Sequence, residues 1–287
     1  MNAFYYIESG VKQLIENYTR IAIKKHQLHD VDLLNDMPYV LAVEWDGVLY
    51  EFLIKLKENS SKMILLGSGA GAKQEHPQGP PYFQRHSWMD LFNASVIYYN
   101  DPTLYLGPLS LGWGQGTKER FYLQEISVLL KEILEKLHIP LPKVTCYGSS
   151  GGGFMSLILA GYLKGAKAVV NNPQTCLTKW LKTPVRNVFS LSYPDMSQEE
   201  VVQTFHERIN VLAFYQKIGY VPPIDYLQNA ASEFDMINHL IPFLSGLHAL
   251  SDDCEVHEIK VILNYNKKQG HAALGKQETV DYLSKKK

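Results

Sequence analysis

The sequence lacks the features that mark disulfide-stapled, membrane-spanning or nucleic-acid-binding proteins. Its three cysteines form an odd set without metal-ligand spacing, which is typical of a reducing compartment and not of a disulfide scaffold. No run approaches the roughly 18 apolar residues of a membrane span, and the N-terminus lacks the basic-then-apolar pattern of a signal peptide. The net charge of −1 gives no reason to expect nucleic acid or an anionic membrane as a partner. We therefore expect a cytoplasmic protein with no membrane span.

What the sequence does contain is enough apolar material for one large core. Hydrophobic residues make up 46% of the 287 residues and charged residues 20%, as in soluble globular proteins. This length is near the upper end of what one α/β domain holds. No internal repeat, low-complexity tract or linker divides the chain, so we predict a single domain over residues 1–287.

Short β-type runs alternate with helical patterns along most of the chain. Asp46-Gly47, a strong hairpin signal, separates the β-rich runs Tyr39 to Trp45 and Val48 to Leu56. Before this hairpin, the apolar spacing from Val11 to Ala22 predicts an amphipathic helix that ends near Lys24. After the hairpin, a long helix is expected at 119–137 and strands are expected at 62–66, 95–99, 144–147, 167–170, 224–228 and 259–265.

This order of elements leads to the fold prediction. A hairpin followed by strands that alternate with helices indicates a mostly parallel sheet with an antiparallel beginning, flanked by helices. The same order is found in the α/β-hydrolase fold. Residues 175–221 have an irregular helical pattern with mixed aromatic and charged residues. They fall where that fold inserts a cap, so we predict a helical cap or lid over 175–221 within the single domain.

The stretch from Val144 to Phe154 carries the clearest chemical signal. An apolar β-type run enters a glycine- and serine-rich turn, and an apolar helical pattern leaves it. Gly148, Ser150 and Gly152 match G-x-S-x-G, the nucleophile elbow, in which one serine hydroxyl sits at the tip of a strained strand-to-helix turn. A glycine-rich turn that holds a phosphate is the alternative, but the strand before and the helix after favour the elbow. Ser150 is the predicted nucleophile.

An elbow serine needs a base, and in this fold the chain order is serine, acid, histidine. Of the ten histidines, His271 is best placed, because it follows the last predicted strand on a loop of turn residues. The acid should follow the strand that ends near Gln228, where Glu233 and Asp235 are the candidates. Glu233 is favoured because it is nearer to the strand end, and Asp235 is the alternative. Either carboxylate could instead be a charge at a helix N-terminus.

Main-chain N–H groups for an oxyanion hole are expected at two places. One is Gly151, directly after the nucleophile, and the other is Gly69 or Ala70 in the glycine-rich loop after the third predicted strand. Spacing alone does not separate Gly69 from Ala70. The loop is a weak match to a dinucleotide fingerprint because prolines, not a clean helix, follow it. No cluster has metal-ligand spacing, so we expect no metal.

Two further stretches contain candidate substrate contacts. Arg85 and Trp88 lie downstream of the oxyanion loop, and Trp113 lies among glycines after the fourth predicted strand, at the sheet edge where α/β proteins bind ligands. Tryptophan and arginine beside glycines suit a sugar ring or an anionic group. Ordinary loop packing is an equally good interpretation.

In these motifs the chain resembles a bacterial group within the α/β-hydrolase fold. The group includes capsular polysaccharide O-acetyltransferases and the acetyltransferase-like component of the accessory Sec glycoprotein export system. The resemblance lies in the segments 147–152, 171–174 and 270–271 and covers the last half of the chain. It implies Ser150 as nucleophile, His271 as base and a carboxylate near Glu233. Gln174, in the second segment, joins the candidate substrate contacts.

The resemblance also implies an acetyl donor such as acetyl-CoA and a carbohydrate acceptor, with no bound cofactor. The leading hypothesis is acyl transfer through an acyl-Ser150 intermediate, either to a sugar hydroxyl or to water. The residues do not choose between transferase and esterase. The alternative is a non-catalytic, hydrolase-like partner module in a glycosylation or export complex. A serine, a carboxylate and a histidine all occur in the chain order that the fold uses for a catalytic triad, which favours an enzyme.

Overall fold

The structure is a computed structural model, and it describes residues 5–8, 11–14, 18–35, 37–70 and 79–284. The β-strands of this part of the chain are β1 (Tyr5–Glu8), β2 (Val11–Leu14), β3 (Thr19–Lys24), β4 (Tyr39–Trp45), β5 (Val48–Lys55), β6 (Met63–Gly67), β7 (Ser95–Tyr99), β8 (Val144–Ser149), β9 (Lys167–Asn171), β10 (Tyr220–Val221), β11 (Ile224–Asn229), β12 (Glu255–Val256) and β13 (Ile259–Asn264).

The α-helices are α1 (Tyr122–Lys136), α2 (Gly151–Tyr162), α3 (Lys182–Ser192), α4 (Gln198–Thr204), α5 (His206–Ile209), α6 (Val211–Ile218), α7 (Glu233–Asp235), α8 (Ile241–Leu247) and α9 (Lys276–Ser284). A π-helical turn, Met236–Leu240, joins α7 to α8. Within the described ranges, no helix combines the length and the apolar character that crossing a bilayer requires.

The described residues form a nine-stranded central sheet with the order β13-β11-β9-β8-β6-β7-β5-β4-β3. From β13 to β7 all neighbours are parallel, whereas β5 is antiparallel to both β7 and β4. The predicted mostly parallel sheet with an antiparallel beginning is therefore confirmed. Because β8 lies in the middle of the sheet, the turn after it opens at the centre of the carboxyl edge, where α/β sheets bind ligands.

The predicted hairpin is confirmed, and its turn explains its sequence. Trp45 pairs with Val48 across the turn, which leaves Asp46 and Gly47 as the two loop residues. Both have positive φ, 47° and 79°, the geometry that favours the Asp-Gly pair in a two-residue hairpin.

Alternating side chains of the strands build a core on each face of the sheet. On β6, Met63 and Leu65 join the larger core, whereas Ile64 and Leu66 join the smaller one. The larger core is covered by α1, α2, α6 and α8, and the smaller one by α9 and the segment around Trp88. Central parallel strands buried on both faces read as continuous apolar runs, which is the pattern that the sequence has here.

The predicted first helix is wrong, because the structure has strands there. Val11–Leu14 is β2 and Thr19–Lys24 is β3, which pairs with β4 in parallel; residues 15–17 lie outside the described residues. Within β3, Ile21 and Ile23 alternate with exposed neighbours and pack against the larger core. A period of two therefore competes with the helical spacing, and pairing with the hairpin decides between them.

Residues 172–219, between β9 and β10, carry the four short helices α3 to α6. Their side chains Val185, Val188, Val201 and Phe214 belong to the larger core. Consequently this segment packs on the same face of the sheet as α1 and α2.

Candidate active site

Ser150 lies at the turn between β8 and α2, in a backbone conformation that few side chains adopt. Its φ is 54° and its ψ is −122°, a strained combination of the kind that clusters at functional sites. Its carbonyl accepts hydrogen bonds from the N–H groups of Phe154 and Gln174, at 3.2 and 3.1 Å. The strained turn is thus tied both to the helix that follows and to the chain after β9.

The glycines around Ser150 are required by close contacts between backbones. A Cβ on Gly148 would lie 2.1 Å from the carbonyl oxygen of Gly152, and a Cβ on Gly152 would lie 2.6 Å from the carbonyl oxygen of Gly67. No side chain fits at either distance. The G-x-S-x-G spacing therefore has a steric cause in this fold, and it leaves Ser150 as the serine at the tip.

Ser150, His271 and Asp235 form a continuous hydrogen-bonded row. The Ser150 Oγ lies 2.8 Å from His271 Nε2, and His271 Nδ1 lies 2.8 and 2.9 Å from the two carboxylate oxygens of Asp235. Asp235 is fully buried, whereas the His271 side chain is 34% exposed. A carboxylate at Nδ1 keeps the proton on that nitrogen, so that Nε2 is free to accept the proton of the serine.

The structure brings Asp235, the alternative acid, to His271 and not the favoured Glu233. Glu233 is exposed, and Asp235 is the carboxylate that contacts His271. The strand β11 ends at Asn229 and a helical turn begins at Glu233, so the two acids lie on a helix and not on a strand end. On a helix, side chains two positions apart in sequence, as Glu233 and Asp235 are, point in directions about 200° apart. If one of them faces the histidine, the other therefore faces away.

Asparagine side chains anchor the loop that carries His271. Asn172 Nδ2 donates to the carbonyl oxygens of His271 and Ala272, both at 3.0 Å, and Asn229 Nδ2 donates to those of Asn266 and Gly270, both at 2.8 Å. These two asparagines follow or end the neighbouring strands β9 and β11. The loop is thereby fixed to the sheet edge from which Ser150 projects.

Aromatic side chains lie beside the His271 ring. The Trp180 ring lies 4.8 Å from the His271 ring and 5.4 Å from the Phe234 ring, measured between centroids. His239 is fully buried nearby and accepts a hydrogen bond from the Thr175 N–H at Nδ1. Burial lowers the pKa of His239 to about 4, a trend that Asp235 opposes. His239 is therefore neutral at pH 7.

The loop after β6 lies against Ser150 on its other side. A Cβ on Gly69 would be 3.9 Å from Ser150 Cβ. The Gly69 N–H donates to Gln84 Oε1 at 2.8 Å, and Gln84 Nε2 donates to the Ala70 carbonyl at 3.1 Å. The Gln84 side chain thus occupies the amide of Gly69, while the Ala70 N–H has no partner among the described residues. Sequence reasoning did not single out Gln84.

All four candidate substrate contacts are buried. Trp113 and Gln174 are fully buried, and Trp88 and Arg85 are 4% and 9% exposed. Arg85 Nη2 donates to the Ser149 Oγ at 2.8 Å, and its guanidinium lies over the rings of Trp88 and Tyr147. None of the four is therefore an open pocket wall. The contacts of Arg85, Trp88 and Trp113 are those of ordinary loop packing, the alternative interpretation of these residues.

Gln174 and Trp113 are nevertheless part of the site. Gln174 Nε2 lies 3.1 Å from the Ser150 Oγ, and the Trp113 indole nitrogen donates to Gln174 Oε1. Trp180, which sequence reasoning missed, belongs to the site through His271. It stands in a segment of mixed composition that gives no motif. Within the described residues, no group of three or more His, Cys, Asp or Glu side chains could hold a metal ion.

The chain has the α/β-hydrolase fold. Its mostly parallel sheet, the strand–turn–helix elbow at the centre of that sheet and the histidine loop after the last strand define this class. No protein-family profile and no curated sequence matches it.

Solved structures that share the fold include two relevant enzymes. One is the capsule O-acetyltransferase of Neisseria meningitidis serogroup A, with a TM-score of 0.62 and 16% identity over 88% of this chain and 96% of that chain. A mutant of this enzyme in complex with CoA has a TM-score of 0.62 and 17% identity, over 90% of this chain and 100% of that chain. The other is carboxyl esterase 2 from the fungus Tuber melanosporum, with a TM-score of 0.52 and 13% identity over 93% of this chain and 89% of that chain. The predicted resemblance to capsule O-acetyltransferases is confirmed at the level of the fold.

Proposed function

We propose that the protein is a serine-dependent acyltransferase that acts through an acyl-Ser150 intermediate. The observation that carries this proposal is the row in which Asp235 bonds to His271 Nδ1 and His271 Nε2 bonds to the Ser150 Oγ. A strained nucleophile, an oriented base and a buried acid within hydrogen-bond distance meet the geometric requirement for nucleophilic catalysis. A non-catalytic partner module would have no need of this arrangement.

The acylation step uses the groups already in place. His271 Nε2 takes the proton of Ser150 as the Oγ attacks the acyl carbonyl carbon, and Asp235 stabilises the imidazolium. The Gly151 N–H, at the start of α2, and the Ala70 N–H donate to the carbonyl oxygen as it becomes negative. Collapse of the tetrahedral species breaks the bond to the leaving group, which receives the proton from His271. The acyl group remains as an ester on Ser150.

The second half-reaction runs the same proton path with an acceptor hydroxyl. His271 removes the proton of the acceptor, the acceptor oxygen attacks the ester carbonyl, and Ser150 leaves with the proton that His271 returns. If water takes the acceptor's place, the outcome is hydrolysis. We infer transfer of an acetyl group from acetyl-CoA to a carbohydrate hydroxyl. The fold shared with a capsule O-acetyltransferase, one structure of which contains CoA, supports this inference.

We further propose that residues 175–221 act as the cap of the site within a single domain. The position of Trp180 supports this role, since its ring lies beside that of His271. A cover that limits water favours transfer over hydrolysis of the acyl-enzyme.

The proposed function is tested with a fluorophosphonate probe and with acetyl-CoA. We expect the probe to label Ser150 in the wild type, and Ser150→Ala to abolish labelling and to lower turnover by about 10⁶-fold. Incubation with acetyl-CoA and a panel of glycans, followed by mass spectrometry, should show an added acetyl group on a glycan. Free acetate without any acetylated glycan would indicate that the protein is an esterase and not a transferase. Turnover that persists in the Ser150→Ala variant would refute the serine mechanism.

A further inference from the structure

The side chain of Gln174 bridges the nucleophile and a buried tryptophan. It is fully buried, and its amide lies between the Ser150 Oγ, 3.1 Å from Nε2, and the Trp113 indole nitrogen at Oε1. A buried amide with a partner at each end is held in one orientation. The mechanism proposed above, with its three triad residues and two main-chain donors, leaves this contact with the reacting oxygen unused.

Hydrogen-bond chemistry determines which end of the amide faces the serine. An indole N–H can only donate, so the end of Gln174 that meets Trp113 must be the carbonyl oxygen. The NH₂ end therefore faces the Ser150 Oγ. Because that oxygen accepts a hydrogen bond from Gln174, its own proton is left to point at His271 Nε2, 2.8 Å away.

The glycine-rich loop around Trp113 is built to hold this indole in place. Trp113 has a φ of 52°, a conformation unusual for a large side chain. Next to it, the Gly114 N–H donates to Asp101 Oδ2 at 2.8 Å, and a Cβ on Gly112 would lie 2.5 Å from the same oxygen. Asp101 is buried, and its two carboxylate oxygens accept hydrogen bonds from the N–H groups of Thr103 and Gly114. These contacts explain why the sequence around Trp113 is Gly-Trp-Gly. The triad residues alone do not explain it.

Sheet order separates Gln174 from the oxyanion hole. Gln174 follows β9 and Ala70 follows β6, and these strands flank β8 on opposite sides. The Gln174 amide therefore approaches the nucleophile from the side of the histidine loop. Its partner in the structure is the Ser150 Oγ.

We propose that Gln174 is a catalytic residue whose amide stabilises negative charge on the Ser150 Oγ, and that Trp113 is the positioning residue that fixes this amide. The proposal rests on the proposed function. The Oγ gains negative charge as His271 takes its proton during acylation, and again as it leaves the acyl-enzyme and is reprotonated. A donor that is already aimed at this oxygen is worth most in those two transition states.

The test compares Gln174→Met, which keeps the length but removes the donor, with Gln174→Glu, which keeps an acceptor for Trp113 but turns an oxygen towards Ser150. The measurements are the second-order rate of fluorophosphonate labelling and kcat/KM for p-nitrophenyl acetate, on protein shown to be folded by circular dichroism. We expect Gln174→Met to lower both about 10- to 100-fold, the range for one hydrogen bond to a charged group. Gln174→Glu should lose more, because its carboxylate competes with His271 for the serine proton.

Trp113→Phe supplies the second perturbation. Without the indole donor the Gln174 amide is free to turn, so we expect a smaller loss in both rates. The Trp113→Phe/Gln174→Met double variant should be no slower than Gln174→Met alone, because the tryptophan acts through the amide. Gln228→Met is the matched control, since this buried glutamine bonds to the Asn229 carbonyl and not to Ser150. It should label within about twofold of the wild type.

The outcomes separate this inference from the proposed function. If the probe does not label Ser150 in the wild type, the proposed function fails and this inference fails with it. If the wild type is labelled but folded Gln174→Met and Gln174→Glu react at the wild-type rate, Gln174 is structural only and this inference alone is overturned. Losses that multiply in the double variant would overturn the positioning role of Trp113.

Discussion

Replacing Asp235 by asparagine tests the assignment of the acid directly. Asp235 accepts hydrogen bonds from His271 Nδ1 and from the Ser232 Oγ, the latter at 2.6 Å, and no part of it is exposed. Asparagine keeps the size and the backbone. It removes the negative charge, however, and can present an NH₂ group to Nδ1. The imidazole then favours the tautomer with its proton on Nε2, which cannot accept the proton of Ser150.

The magnitude follows from the loss of the working tautomer. The same change in a well-studied serine protease triad lowers kcat about 10⁴-fold, which corresponds to about 5.4 kcal/mol of transition-state stabilisation. We expect a loss of this order for Asp235→Asn. Glu233→Gln is the matched control, since Glu233 is exposed on the opposite side of the same helical turn. It should change turnover by less than about threefold, as exposed substitutions usually do.

The assay is kcat/KM for p-nitrophenyl acetate on both variants and the wild type, together with thermal unfolding as a check of the fold. Asp235→Asn must remain folded for the comparison to count, and asparagine can still accept the hydrogen bond of Ser232. A folded Asp235→Asn protein with more than a tenth of wild-type activity would refute the acid role of Asp235. A larger loss in Glu233→Gln would return the assignment to Glu233.

Three further predictions concern residues around the triad. Gly152→Ala should destabilise the fold by more than about 2 kcal/mol in urea unfolding, because its Cβ would meet the carbonyl of Gly67, whereas Gly275→Ala, with only the Glu278 side chain nearby, should change stability little. Ser149→Ala should stay labelled by the probe but lose about 1–3 kcal/mol of stability, since it leaves a buried arginine without its hydrogen bond. His239 has a pKa of about 4 in the fold and about 6.5 in the unfolded chain. Protonation of the unfolded chain therefore removes stability as pH falls from about 6.5 to 4, and the wild type should lose up to about 3 kcal/mol more than His239→Gln over this interval. Equal losses in both proteins would contradict the pKa shift.

The helix after β11 shows why the acid could not be chosen from the sequence. Phe234, Ile237, Ile241 and Leu244 form an apolar stripe at helical spacing, the pattern of a buried face. The structure leaves all four between 38% and 56% exposed. The face it buries contains Asp235, His239 and Phe243. Which side of a short helix faces the sheet depends on its packing against distant strands, and here it is opposite to the side that the apolar pattern alone would indicate.

The prediction of a first helix from Val11 to Ala22 failed for a related reason. Thr19–Lys24 fits a helical spacing and an alternating one about equally well, and only its pairing with β4 makes it a strand. Interactions between residues far apart in sequence are not visible in a local pattern. The contact between Trp113 and Gln174 is of the same kind, since it joins residues 61 positions apart.

The amino-acid sequence by itself determined the central strands, the hairpin turn and the elbow. Each of these depends on short-range constraints: apolar runs for buried parallel strands, positive φ at Asp46 and Gly47, and glycines where backbones touch around Ser150. The order of serine, acid and histidine along the chain was also readable. The tertiary structure alone decided which carboxylate meets His271, that the Gly69 amide bonds to Gln84, and that Gln174 faces Ser150. Those contacts depend on helix rotation and loop anchoring, which arise only when distant elements pack together.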